Sequence, residues 1–215
     1  MPQKYVKKIL DARIYDLALE TPVEKAPLLS QRFNNNILLK REDLQPVFSF
    51  KVRGAYNKLR CLSDAQRSAG VIAASAGNHA QGLALAAKKM NVNATIVMPV
   101  TTPEIKVDAV RSRGANVVLI GDNYDAAATH ANQLVQEQGL TYIHPFDDPD
   151  IIAGQGTIGM EILRQLPGKL DAIFVAVGGG GLCAGVAAYV KYCLLYTSDA
   201  ADEGLGVDLG GRRII

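Results

Sequence analysis

Apolar residues open the chain at Tyr5, Val6, Ile9, Leu10, Ile14 and Leu17, the spacing of one face of a helix, and Thr21-Pro22 closes that pattern. Ile37-Leu38-Leu39 is a short apolar run between polar neighbours and predicts a buried strand. The next stretch turns at Pro46 and carries Phe48 and Phe50, and helical spacing resumes from Val52 to Leu59. Ser63 and Gln66 stand at capping-box distance before a short helix. From there the rhythm is regular. Strands are predicted over 71–74, 94–98, 117–120, 141–143 and 171–177. Between them, helices are predicted over 79–90, from Pro103 through Arg111, over 124–138 with Gly139 as its cap, and over 151–166. Gly178 to Gly181 break the last strand, and a helix follows from Leu182.

Strands alternating with helices imply right-handed crossovers and an α/β fold, a parallel sheet flanked by helices. Ligands in such folds gather beyond the carboxyl ends of the strands. The 215 residues are 48% hydrophobic, enough apolar material to offset chain entropy, which excludes a disordered chain. Formal net charge is +2 with no long basic run, so a nucleic acid is not an expected partner. There is no run of about 18 apolar residues, and the lysine-bearing first segment lacks a signal peptide's apolar core, so neither a membrane nor secretion is expected. Cys61, Cys183 and Cys193 form no CxxC pair, which fits a reducing, cytoplasmic setting and predicts no metal site. Residues 193–215 show no sustained period. Within them CLLYTSDAADE (193–203) resembles the translated transposase adapter of short-read DNA libraries, so this tail is expected to be non-native.

Three loops carry candidate chemistry. Lys51, between Phe50 and Val52 at a loop-to-helix junction, is either an ordinary solvated lysine or, if buried, an amine freed to attack a carbonyl. Ser75-Ala76-Gly77-Asn78-His79 follows a strand. Small residues there admit a ligand close to the backbone, the next helix offers N–H groups to an anion, and Asn78 offers a donor and an acceptor; a plain strand-to-helix turn capped by Asn78 reads equally well. Gly178-Gly179-Gly180-Gly181-Leu182 is costly in chain entropy, and its favoured use is a nest of N–H groups around a phosphate. It lacks the lysine of a nucleotide P-loop. Gly179, Gly181 and Ala184 also match the GxGxxA dinucleotide pattern, whose acidic partner would fall in the tail.

Taken in order, SFKVRGAY (49–56), SAGNHAQG (75–82) and VGGGGL (177–182) closely resemble the fold-type II pyridoxal-phosphate enzymes, and most closely the biosynthetic threonine dehydratase (threonine ammonia-lyase) group. Thr21-Pro22, Lys40-Arg41-Glu42-Asp43, the run from Ile105 to Val110 and Pro145-Phe146-Asp147 share that likeness, which covers residues 1 to about 192. The resemblance implies a two-domain, tryptophan synthase beta-like α/β fold, truncated here. Residues 1–48 and 149–192 would give the larger domain and residues 49–148 the smaller, inserted one. It implies pyridoxal 5'-phosphate as cofactor, Lys51 as Schiff-base lysine and proton acceptor with Phe50 beside it, and Asn78 on the ring hydroxyl. Gly178, Gly179, Gly180, Gly181 and Leu182 would hold the phosphate, and Ser75, Ala76, Gly77, Asn78 and His79 the substrate carboxylate. The implied reaction converts L-threonine to 2-oxobutanoate and ammonia, the opening of isoleucine synthesis, in a homo-oligomer acting on a small amino acid. Serine racemases of this group carry a serine where this chain has Ala76, so elimination without racemisation is expected. The group's partner for the pyridine nitrogen lies further along than this chain reaches, so the 215 residues alone are expected to be inactive. Serine dehydration or racemisation, β-replacement, and a non-catalytic anion- or dinucleotide-binding domain are the alternatives.

Overall fold

The computed structural model describes residues 2–168 and 170–194. Helix α1 (Pro2–Leu10) opens the chain. A small antiparallel pair, β1 (Val23–Lys25) and β2 (Leu38–Lys40), encloses α2 (Pro27–Phe33). A single 3-10 turn, Glu42–Leu44, leads to α3 (Lys51–Cys61) and α4 (Asp64–Ala69). The alternating part then runs β3 (Val71–Ala74), α5 (Asn78–Met90), β4 (Ala94–Met98), α6 (Glu104–Arg111), β5 (Asn116–Leu119), α7 (Tyr124–Gln138) and β6 (Thr141–Tyr142). Two long helices follow, α8 (Pro149–Gln165) and α9 (Gly181–Cys193).

The four strands form one parallel sheet in the order β5-β4-β3-β6. Their period of two sorts the side chains cleanly. Val71, Ala73, Ile96 and Met98 face the main core with α3, α5 and α6, whereas Ile72, Ala74 and Val97 face α7 through Ala127 and Ala131. The local signals act as expected. Ser63 and Gln66 make a complete capping box, and Gly139 ends α7 at φ 67°; a cap the sequence reading did not name is Asn123, whose side chain accepts from the Ala126 N–H at 3.0 Å.

Helix α3 is the hinge of the packing, because it touches α5 on one side and α8 on the other. The α3–α8 contact exists only because two side chains are missing. A Cβ on Gly154 would lie 2.6 Å from the Gly54 Cα, and one on Gly54 would lie 2.8 Å from the Ile151 carbonyl. Gly154, which by propensity weakens a helix, is thus what lets α8 approach α3; on the other side a Cβ on Gly185 of α9 would lie 2.4 Å from the Ile152 carbonyl.

A buried ionic cluster ties the same helices to the 40–45 segment. Arg53 on α3 has no exposed surface. Its Nε and one terminal nitrogen donate to the two oxygens of Glu42 at 2.7 Å each, and the guanidinium grips Glu161 of α8 at 2.6 and 2.9 Å. Lys40 reaches the second Glu161 oxygen at 2.6 Å, so two cations face two carboxylates. Burial opposes the Arg53 charge, but Glu42 and Glu161 outweigh it and raise its pKa.

Four expectations need correction. The Leu38–Lys40 strand is not buried: among the described residues it pairs with β1 alone, and Leu39 is 44% exposed. Residues 171–177 do not form a strand. Among the described residues nothing pairs with them as a strand, Phe174 is 77% exposed, and only Ile173 and Val175 pack against the α8–α9 cluster. An apolar run becomes a strand only where neighbouring strands receive its backbone. The first helix ends at Leu10, and Ile14 enters the core from a turn instead. Asn78 does not cap α5; it is the first helical residue, behind Gly77. The expected non-native tail begins at Cys193, which closes α9; its residues 195–215 lie outside the described residues.

Replacing Arg53 with Met strands two buried carboxylates. Urea denaturation should show a loss of about 3–5 kcal/mol. Arg53→Lys should recover only part of it, since an ammonium cannot bridge two carboxylates as a planar fork does.

Candidate functional site

Lys51 is the first residue of α3, and its placement begins in the preceding loop. The buried Gln45 side chain clamps the Leu19 backbone, accepting from its N–H at 2.9 Å and donating to its carbonyl at 2.8 Å. Phe48 then adopts a left-handed backbone at φ 56°, an uncommon conformation for a bulky residue, and turns the chain into the helix. The Lys51 side chain is half-buried. Its Nζ donates to the Pro145 carbonyl at 2.7 Å and lies 5.4 Å from the centre of the Phe50 ring. Burial lowers its pKa, so a larger share of the amine is free of its proton.

That amine opens into a cavity of about 150 Å³ walled by Phe50, Pro145, Phe146, Gln155 and the residues from Gly178 to Leu182. The first and third loops singled out in the sequence therefore meet. Gly180, at φ 87°, sits just before the first residue of α9, and no side chain caps that helix. Its leading N–H groups and the positive end of its dipole suit an anion. Gly179 and Gly181 are held against Phe146. A Cβ at Gly179 would lie 2.2 Å from that ring, and one at Gly181 would lie 2.5 Å from its carbonyl oxygen. Phe146 is itself fixed by an edge-on contact with His144, ring centres 4.6 Å apart.

The second loop stands apart from this cavity. Ser75, Ala76 and Gly77 are partly exposed and Asn78 is exposed. The Ser75 hydroxyl accepts from the Gly77 N–H at 3.3 Å. The loop is nevertheless tied to Lys51 through α5. A Cβ at Gly82 would lie 3.0 Å from the Lys51 carbonyl carbon, so the start of α5 rests directly on the lysine backbone. His79 is buried, with Nε2 donating to the Ile143 carbonyl at 3.0 Å. Desolvation is the main reason its pKa falls to about 4, and it is neutral at pH 7.

Two buried polar atoms near Lys51 have no hydrogen-bond partner: the Ser49 hydroxyl and the Gln155 amide oxygen. Gln155 was not legible as a site residue, since a glutamine on a glycine-rich helix carries no pattern of its own. Its only signal was a polar side chain on the apolar face of the segment beginning at Ile151. As a set, the groups in the cavity can hold a phosphate-like anion and present a reactive amine to an aldehyde.

The chain matches the family described as "Pyridoxal-phosphate dependent enzyme" over residues 14–201. It is 61% identical over 188 residues to the biosynthetic, chloroplastic threonine dehydratase of Arabidopsis thaliana, which covers 87% of this chain and 32% of that protein. It is 60% identical over 190 residues to the biosynthetic L-threonine dehydratase of Burkholderia multivorans, covering 87% of this chain and 38% of that one. Among solved structures, the processed form of threonine deaminase isoform 2 from Solanum lycopersicum superposes with a TM-score of 0.87 at 53% identity, over 94% of this chain and 53% of that one. Maize serine racemase gives 0.84 at 35% identity, over 87% and 57%. The chain spans about a third of the length of the named dehydratases.

Because His79 is neutral in the fold and titrates near its ordinary 6.5 when unfolded, the unfolded chain binds the extra proton between those values. The stability this residue contributes is complete above pH 6.5 and is lost as pH falls toward 4, by about 3 kcal/mol. Denaturation of the parent chain and of His79→Gln across that range should show this slope in the first and its loss in the second.

Proposed function

The chain belongs to the pyridoxal-phosphate dependent enzymes, and we propose that within them it carries part of the active site of a threonine ammonia-lyase, converting L-threonine to 2-oxobutanoate and ammonia. The observation that carries the reading is the meeting of the Lys51 amine and the Gly178–Gly181 loop in one cavity. The identities of 61% and 60% to threonine dehydratases favour threonine as substrate over the serine chemistry of the racemase it also resembles.

The residues present fit the cofactor. The uncapped start of α9 offers N–H groups to a phosphate, and the adjoining glycines leave the backbone uncovered. Lys51 offers a half-buried amine of lowered pKa, and Phe50 and Phe146 offer flat apolar walls. When bound, pyridoxal phosphate supplies an aldehyde that condenses with amines and a ring that takes up electrons from the substrate's α-carbon. Lys51 is the group that would hold the aldehyde and, once released, take the α-proton at Nζ. Ser75, Ala76, Gly77 and His79 would bind the substrate carboxylate, with Asn78 on the cofactor's ring hydroxyl; the connection of α5 to Lys51 at Gly82 supports placing that loop beside the same centre. His79 would act there through its backbone N–H, since its ring is buried and its Nε2 proton is committed to Ile143. Ala76 has no group able to deliver a proton to the opposite face of the α-carbon, which supports elimination over racemisation.

The expected domains follow the packing. The parallel sheet lies within residues 71–142, and α1, α8 and α9 pack on one another, which supports a smaller unit over 49–148 and a larger one from 1–48 and 149–192. No helix among the described residues is long and apolar enough to cross a membrane. A cytoplasmic, homo-oligomeric enzyme completes the proposal.

Borohydride reduction of the chain with pyridoxal phosphate should place the cofactor's mass on the Lys51 peptide and leave Lys51→Ala unlabelled. Label on another lysine, or none, would refute the assignment. Gly179→Ala should weaken cofactor binding at least tenfold in a spectral titration, because its methyl group displaces Phe146 from the loop. In the longest product of the gene, ammonia release should be faster from L-threonine than from L-serine, and unreacted substrate should keep its chirality.

A further inference from the structure

Gln155 is 2% exposed, lines the Lys51 cavity, and its amide oxygen accepts no hydrogen bond. A buried acceptor without a donor costs about 1–3 kcal/mol. Space is reserved for this side chain: a Cβ on Gly54 would lie 2.4 Å from Gln155 Nε2. Lys51, on the same cavity wall, has more N–H groups than the one acceptor it uses, the Pro145 carbonyl. We propose that Gln155 is a positioning residue for Lys51, its amide oxygen being the second acceptor of the cavity, between which and the Pro145 carbonyl the ε-ammonium exchanges in the free chain.

The surrounding groups leave this role to Gln155. His79 on α5 feels the Lys51 charge, and His144 adjoins Pro145, whose carbonyl the amine uses. His79 Nε2 is engaged with Ile143, and His144 Nδ1 already accepts from the N–H groups of Phe146 and Asp147 at 3.3 and 2.7 Å. Arg53 on α3 and Glu161 on α8 are taken up with each other, and Glu42 is bound to Arg53. The rings of Phe50 and Phe146 offer no acceptor, and the Ser49 hydroxyl, also unpartnered, is not among the residues that line the cavity. An amide oxygen is also chemically apt. It can hold the amine without the full negative charge that would keep Lys51 protonated. The inference deepens the proposed function at the same amine and rests on that reading for its purpose.

The test titrates Lys51 directly, in the 215-residue chain without cofactor. Competitive acetylation with acetic anhydride across pH, read on the Lys51 peptide by mass spectrometry, gives the amine's midpoint. Gln155→Met removes the acceptor and should lower the midpoint, making Lys51 about threefold more reactive at neutral pH. Gln155→Glu is of the same shape and should raise it by a unit or more, making Lys51 at least tenfold less reactive. Lys89, on the far end of α5, serves as the internal control. A wild-type midpoint in either folded variant overturns the proposal. Should the Met variant fail to fold, the Glu variant decides alone. Failure of borohydride to trap pyridoxal phosphate on Lys51 would refute the proposed function and leave this titration unaffected.

Discussion

The guanidinium of Arg53, shut away from water between Glu42 and Glu161, sets the frame on which the site is built. A charge in that position is tolerable only with its partners in place, so it fixes three separate stretches of chain at once: the 40–45 segment, α3 and α8. Lys40 and the hydroxyls of Thr157 and Tyr15 complete the shell, the latter at 2.8 Å from Glu161. Lys51 begins the same helix two residues earlier and inherits that placement. The position of the amine is therefore governed less by its immediate neighbours than by an ion cluster behind it.

Missing side chains do the rest of the positioning. Gly54 and Gly154 bring α3 against α8, and Gly82 brings α5 against the first turn of α3. Helix α3 is thereby held between the element that follows the first glycine-bearing loop and the one that precedes the second. A methyl group at these contacts would push the helices apart by more than a rotamer change can absorb, because the obstructing atoms are largely backbone.

The interior of the site favours neutral groups. Burial depresses Lys51 and His79, and Gln155 presents an uncharged acceptor where a carboxylate of the same shape would fit. Among the described residues the fully buried charges, Arg53 and Glu161, are paired with each other. That pairing leaves the Lys51 amine, a few residues away, with burial as the influence on its charge.

The alternating elements from Val71 to Gln138 were readable in the chain because local signals act there without help: strand periodicity, a capping box at Ser63 and Gln66, and glycine after Gln138. The four glycines stood out as a run whose ordinary uses are few, whereas Lys51 by itself read as an ordinary lysine and was singled out only by the motifs around it. What the chain could not disclose was every feature made by residues distant in sequence. The 171–177 run has strand composition, yet a strand is a property of its neighbours. Arg53, Glu42 and Glu161 look like ordinary surface charges until three elements close around them, and Gln155 looks like one more polar residue of a helix. Local chain chemistry set the residue types at the site and most of the order of elements. Which of them meet was left to packing, because burial and hydrogen-bond partnership arise between segments some hundred residues apart.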